Sequence, residues 1–284
     1  MEPMDPNFVT SRFSRRAMQY RCRMLIAFVV MGAPIAAFAE DSKVRSRKTY
    51  EFPKDASAEV IVLQYAGGFT PPRKNNEPDL TILADGVVIL GAPFGSKKRL
   101  KTKIPHEQLQ ELLRFILGEQ EFAKFDTKQV QALVNKQGKL IAVADASTTV
   151  VRVHADGMKL EGKYYALNMM ARQFPKIKPL AQFSAVQRRL ERLRAEIYAG
   201  GKKGIAKHLE VANKQLAAKH ADIPKLIAAD LQSAWQFANG KIYVSFHRTE
   251  KLKDERTRLT SVNINYPANG KPKVTVRLNV IVKN

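Results

Sequence analysis

Any catalysis by this chain would draw on a small set of side chains, and its five histidines, His106, His154, His208, His220 and His247, are the first to weigh. No two stand at the three- to five-residue spacing that lets neighbouring imidazoles share a metal, so no metal site is readable and no cofactor is expected. Acyl transfer needs a hydroxyl or thiol beside a base. Asp145, Ser147 and His154 lie near one another in sequence, but along an extended strand Asp145 and Ser147 share one face and His154 takes the other. Gly-x-Ser-x-Gly, Ser-x-x-Lys and His-Glu-x-x-His are all absent from the sequence, and with them the local signatures of common exported hydrolases. Gly200-Gly-Lys-Lys-Gly204 resembles a phosphate loop only in composition. It follows a helical pattern, whereas a phosphate cradle follows a strand and ends Gly-Lys-Ser or Gly-Lys-Thr, so it reads as a turn between two helices.

Two constellations point to binding. Lys97, Lys98, Arg99, Lys101 and Lys103 fall within seven residues after Phe94-Gly95, and Arg73-Lys74 occupies the loop before a hairpin. Such a cluster neutralises several phosphates or sulfates and gives an affinity that falls steeply with salt. Whether the two basic loops converge depends on strand order, and a simple meander is expected to send them from opposite ends. The other constellation is one face of a C-terminal meander, bearing Tyr243, Ser245, His247, Ser261, Asn263, Asn265, Thr275, Arg277 and Asn279. Amides, hydroxyls, an aromatic ring and a guanidinium on a rigid sheet suit a sugar or a peptide. Equally, they suit a solvated sheet face.

The charge balance favours an anionic partner. Lys and Arg number 48 against 26 Asp and Glu, a formal charge of +22, far beyond what solubility needs. Acidic glycans and lipid headgroup layers are the expected partners. Nucleic acid is disfavoured because, Phe94 apart, the basic run has no interleaved aromatics on which bases could stack.

Residues 24–38 form an uncharged apolar run between Arg21 and Arg23 on one side and Ala37-Phe38-Ala39 on the other. A basic start, an apolar centre and small residues at the cut read as a cleavable export signal, with cleavage between Ala39 and Glu40. Fifteen residues of helix reach only about 22 Å, short of the ~30 Å needed to span a bilayer. Met1 and Met18 both stand as starts, the latter leaving a compact Met-Gln-Tyr-Arg-Cys-Arg head. Cys22, the single cysteine, falls within the segment removed, which leaves the mature chain without a disulfide or a thiol nucleophile. The basicity stays with the mature chain, since residues 1–39 take away five arginines and two acids.

The elements that must carry these groups follow from turn chemistry and periodicity. Residues 40–57, with Lys43, Arg45, Arg47 and Lys48, read as a flexible basic leader. Asp85-Gly86, Asp156-Gly157, Asn239-Gly240 and Asn269-Gly270 each suit a tight type I′ turn. Strands are expected over 59–65, 80–84, 87–90, 149–154, 158–161, 242–246, 259–266 and 274–282. Apolar residues at helical spacing predict helices through Leu109–Ile116, Val186–Ile197 and Ile205–Leu216, and a further helix from about Asp222 through Leu226, Leu231 and Ala234 that ends at Asn239-Gly240. The helix around Arg188, Arg189, Glu191, Arg192 and Glu196 should present an ordinary exposed charged face, and Trp235 should be core. Ala84-Asp85-Gly86 and Ala155-Asp156-Gly157 could mark a duplicated hairpin-helix unit, or two unrelated hairpins using one favoured turn.

An α+β fold follows, with antiparallel hairpins and a C-terminal three-stranded meander packed with amphipathic helices. After the signal and leader come an N-terminal region over 58–182 and a C-terminal region over 183–284, which can form one continuous domain. The expected function is an exported binding or envelope-associated protein without catalysis. The alternative is an exported hydrolase whose site is dispersed through the sequence, and a third reading is a structural subunit, marked by a large exposed apolar patch.

Overall fold

The computed structural model describes residues 48–68, 77–92, 99–138, 143–252 and 256–281. The export signal with Ala39 and Glu40, most of the leader, and Arg73, Lys74, Lys97 and Lys98 lie outside the described residues. The fold is α+β, with two wholly antiparallel sheets of six and four strands and helices packed on them.

The first sheet is built from β1 (Glu59–Ala66), β2 (Leu80–Leu83), β3 (Val87–Leu90), β4 (Leu100–Lys103), β5 (Thr148–Ala155) and β6 (Met158–Tyr165), in the order β4-β3-β2-β1-β5-β6. Period-two alternation sets its faces. The register aligns Ile61 with Ile82 and Val153, and Leu63 with Leu80 and Val151, while Leu80 faces Leu90. These buried side chains make one apolar surface. Against it pack α1 (His106–Leu113), which continues as a π-helical turn over Arg114–Glu119, and the first half of α4 (Lys178–Tyr198) through Phe183, Val186 and Leu190. α2 (Thr127–Lys136) and α3 (Leu167–Gln173) fill the connections.

The second sheet joins β7 (Leu231–Gln236), β8 (Ile242–Lys251), β9 (Thr257–Tyr266) and β10 (Lys273–Ile281) in meander order. Its buried face, Val244, Phe246, Val262 and Ile264, packs with Ile205, Ala212 and Leu216 of α5 (Gly201–Lys219). Helix α4 serves both cores, because Leu193 belongs to the first and Ala195 to the second. It runs unbroken across the expected 182/183 boundary.

The meander therefore has four strands, not three, and the fourth replaces the helix expected from Asp222. Pro224 interrupts that stretch, and Leu231 to Gln236 pairs with β8 as a strand, a bulge between Leu231 and Ser233 leaving Leu231 and Ala234 buried and Gln232 and Trp235 outward. Asn239-Gly240 accordingly lies in a hairpin loop. Trp235 is 40% exposed and stacks on Tyr243, rings 5.0 Å apart and 11° from parallel, so it is not core.

Loop length explains a second difference. Only Asp156-Gly157, the two-residue link of β5 and β6, has both φ values positive (49° and 70°), as a type I′ turn requires. In the three longer loops the glycine alone is positive. The two Ala-Asp-Gly motifs are thus different turns, which removes the main support for a duplicated unit.

The end of the expected leader is fixed in place: Tyr50 is buried, and its backbone N–H and C=O pair with the Gln110 side-chain amide at 2.9 and 2.8 Å. Part of the charged face of α4 is drawn into contacts within the protein, while Arg188 stays exposed. Arg192 donates to the carbonyls of Ala228, Ala229 and Leu231, Glu191 accepts from the Tyr65 hydroxyl, and Arg194 pairs with buried Asp79 at 3.3 Å. Period 3.6 finds a helix, but it cannot show that sheets lie on both of its sides. No helix among the described residues is long and apolar enough to cross a membrane.

Candidate functional site

Strand β4 is the outer strand of the six-stranded sheet. The strands do run as a meander from β1 to β4, yet the two basic loops leave the same end, because Leu63 and Leu80 are partners and so are Leu80 and Leu90. Alternate connections of a meander fall at one end, which corrects the expectation of opposite ends. The flanks of the two loops are joined directly: Arg99 pairs with Glu77 at 2.7 Å. That ion pair neutralises Arg99, and the cations without an ion-pair partner in this stretch of the described residues are Lys101 and Lys103. Both belong to β4 itself and not to a loop.

A groove of about 690 Å³ runs beside this strand. All five residues from Leu100 to Ile104 line it. A groove lying over one sheet face would be lined by alternate residues, so this one follows the strand's edge. Its opposite wall is the corner between α4 and α5. Leu193 and Ile197 from α4, with Ile205, Ala206 and Leu209 from α5, make an apolar floor, and Gln108, Arg192, Glu196, Gly200, Gly201, Lys202 and Ala228 complete the lining.

The corner has a steric cause. Helix α4 ends at Tyr198, Gly200 has φ +82°, and α5 begins at Gly201, so the two helices meet within three residues. At Gly204 a Cβ would stand 1.8 Å from the carbonyl oxygen of Ala199. Only a residue without a side chain lets α5 turn back this tightly over the end of α4. His208 ties the corner to the second sheet: its Nδ1 is 2.7 Å from the Tyr266 hydroxyl. Burial holds its pKa below the usual imidazole value, with the Ala199 carbonyl opposing that shift in part.

Arg192 and Glu196 pair with each other at 2.8 Å. Lys101, Lys103 and Lys202 are exposed and have no ion-pair partner among the described residues. The groove thus presents an apolar floor with three uncompensated cations on its walls. Sequence reasoning found Lys101 and Lys103 but missed Lys202, whose Gly-Gly-Lys-Lys-Gly context was seen only as a helix turn. The described residues hold no cluster of His, Cys, Asp and Glu able to take a metal.

The second constellation is brought together as expected on the outer face of the four-stranded sheet. Register places Tyr243 beside Asn265, Ser245 beside Asn263, His247 beside Ser261, Ser261 beside Arg277, and Leu259 beside Asn279. Several of these groups serve one another. The Tyr243 and Ser245 hydroxyls both donate to Asn263 Oδ1, at 2.6 and 2.7 Å, and His247 Nε2 is 3.0 Å from Ser245 Oγ. With its proton given to Asn263, the Ser245 hydroxyl accepts from His247, the reverse of a nucleophile-base pair. Asp145, Ser147 and His154 are not brought together. Ser147 precedes β5 and His154 lies near its far end, about 23 Å away at 3.3 Å per residue.

Comparison with models of known protein families, with curated proteins and with solved structures finds no match to this chain.

Proposed function

We propose that the protein is an exported, non-catalytic binding or envelope-associated protein that holds an anionic partner in the groove along β4. The observation that carries this reading is the set of three unpaired lysines, Lys101, Lys103 and Lys202, around a floor of leucine and isoleucine. A cation without a partner beside low-dielectric walls attracts an anion more strongly than the same cation on an open surface. The net charge of +22 adds long-range attraction. The anion sources that the composition favours are acidic glycans and anionic lipid headgroups.

The test is retention of the purified protein on heparin and on a sulfonate exchanger of matched charge density. A shaped site elutes from heparin at clearly higher salt. Equal elution reduces the charge to a diffuse property and rejects the groove as a site. Substrate-dependent turnover by the same preparation would favour the dispersed hydrolase instead.

A further inference from the structure

The groove follows a strand edge, and that edge has main-chain hydrogen-bonding groups to spare. In the β3–β4 ladder Ile104 N–H donates to Gly86 C=O at 3.0 Å, and the register pairs Thr102 with Val88 and Leu100 with Leu90. Bonded and non-bonded pairs alternate in an antiparallel ladder, so Leu100, Thr102 and Ile104 turn their N–H and C=O groups toward β3. Those of Lys101 and Lys103 point the other way, into the groove, and have no partner among the described residues. The far edge of the same sheet is treated differently: α2 packs beside β6, and Thr127 Oγ1 donates to the Lys163 carbonyl at 2.8 Å.

From this edge we infer that the groove receives an extended acidic polypeptide segment, added antiparallel as a seventh strand beside β4. The inference rests on the anionic-partner reading of the groove and assigns the anion to a polypeptide in place of a glycan or a lipid headgroup. Two residues of such a segment would each exchange an N–H and a C=O with Lys101 and Lys103, satisfying four main-chain groups. Its side chains would alternate as any strand's do. One set would be apolar, meeting Leu100, Leu193, Ile197 and Leu209; the other would be acidic, meeting the lysine ammonium groups. A second copy of this chain is a poor occupant, because β4 against β4 sets lysine against lysine. A glycan could use the lysines but would leave the apolar floor and the strand's N–H groups unmatched.

The test measures binding of a fluorescent, end-blocked octapeptide of alternating glutamate and valine to the purified protein by anisotropy. Two further peptides carry N-methyl groups on alternate residues, one set in each register. Strand addition uses the N–H groups of one set only, so one methylated peptide should bind at least about tenfold more weakly while the other stays within about twofold. Lys101→Glu with Lys103→Glu should abolish binding of all three. Lys101→Pro and Lys101→Ala remove the same charge and should lower heparin retention alike, but only proline blocks the edge, without removing a bond to β3, so it should weaken the unmodified peptide clearly more than alanine does. Equal binding of both methylated peptides and the parent would mean charge recognition alone and would overturn the inference. Heparin retention through the lysines without peptide binding would also overturn it, while leaving the anionic-partner reading standing. Loss of both would reject the two together.

Discussion

Gly204→Ala tests the geometry that makes the groove. Alanine is the better helix former by roughly 0.5–1 kcal/mol, so at an ordinary position of α5 this change would stabilise the protein. Here the new methyl group would stand 1.8 Å from the Ala199 carbonyl oxygen, where a carbon and an oxygen need more than 3 Å. The contact involves backbone on both sides, so no side chain can swing away and the helices must separate by more than about 1 Å. Overpacking costs about 1–3 kcal/mol, and an overlap with backbone on both sides falls in the upper part of that range, about 2–3 kcal/mol; subtracting a propensity gain of about 1 kcal/mol leaves a net loss of about 1–2 kcal/mol. For a chain of this size that lowers Tm by about 2–8 °C. Urea unfolding monitored by circular dichroism reads the change directly, with Lys203→Ala in the same turn as a control expected to stay within about 0.5 kcal/mol of the parent. Separation of α4 from α5 also moves Lys202 and Ile205, so heparin elution should shift to lower salt. A Gly204→Ala protein as stable as the parent or more so would refute the close approach and the corner built on it.

Other sites make sharper or simpler demands. Gly162→Ala in β6 would place a methyl group 2.8 Å from the Phe122 ring, and overpacking should destabilise the protein by about 1–3 kcal/mol in the same unfolding assay. Trp235 is the single tryptophan and lies on a polar sheet face, so its emission should be red-shifted and readily quenched by iodide in the folded protein; a blue, protected emission would contradict the β7 register. The lowered pKa of His208 means that the unfolded chain takes up its proton near pH 6.5 while the folded chain resists until lower pH. The stability it contributes is therefore complete above pH 6.5 and is lost as pH falls through the folded value, and His208→Gln should flatten the fall in Tm between pH 7 and 5.

Much of the first sheet is legible from sequence because burial on one face leaves a period-two imprint, as in Val151, Val153 and Ala155, and because Asp-Gly dipeptides mark its tight loops. The same rule finds β8, β9 and β10. Strand β7 escapes it because a bulge between Leu231 and Ser233 breaks the alternation and leaves an i, i+3 pair, Leu231 and Ala234, that imitates a helix. β4 escapes for another reason. Its four residues, Leu-Lys-Thr-Lys, carry so much charge that they read as a basic loop, whereas edge strands tolerate and even favour lysine. The groove was half visible for the same cause: Lys101 and Lys103 stood out by charge, but Lys202 lies far along the chain and joins them only because Gly204 lets α5 fold back over α4. Arg192 and Glu191 looked like solvent-facing residues of an amphipathic helix. Nothing local to α4 says that sheets flank it on two sides.

The central claim, that three particular lysines form an anion site, is tested most directly by the salt dependence of heparin binding. Each cation engaged with a linear polyanion contributes about 0.7–0.9 to the slope of log K against log salt. Replacing Lys101, Lys103 and Lys202 together by alanine should therefore make that slope shallower by about 2–3 and lower the eluting salt, with the circular dichroism spectrum unchanged. A triple variant with the parent's slope would show that heparin is held elsewhere on the +22 surface and would contradict the account.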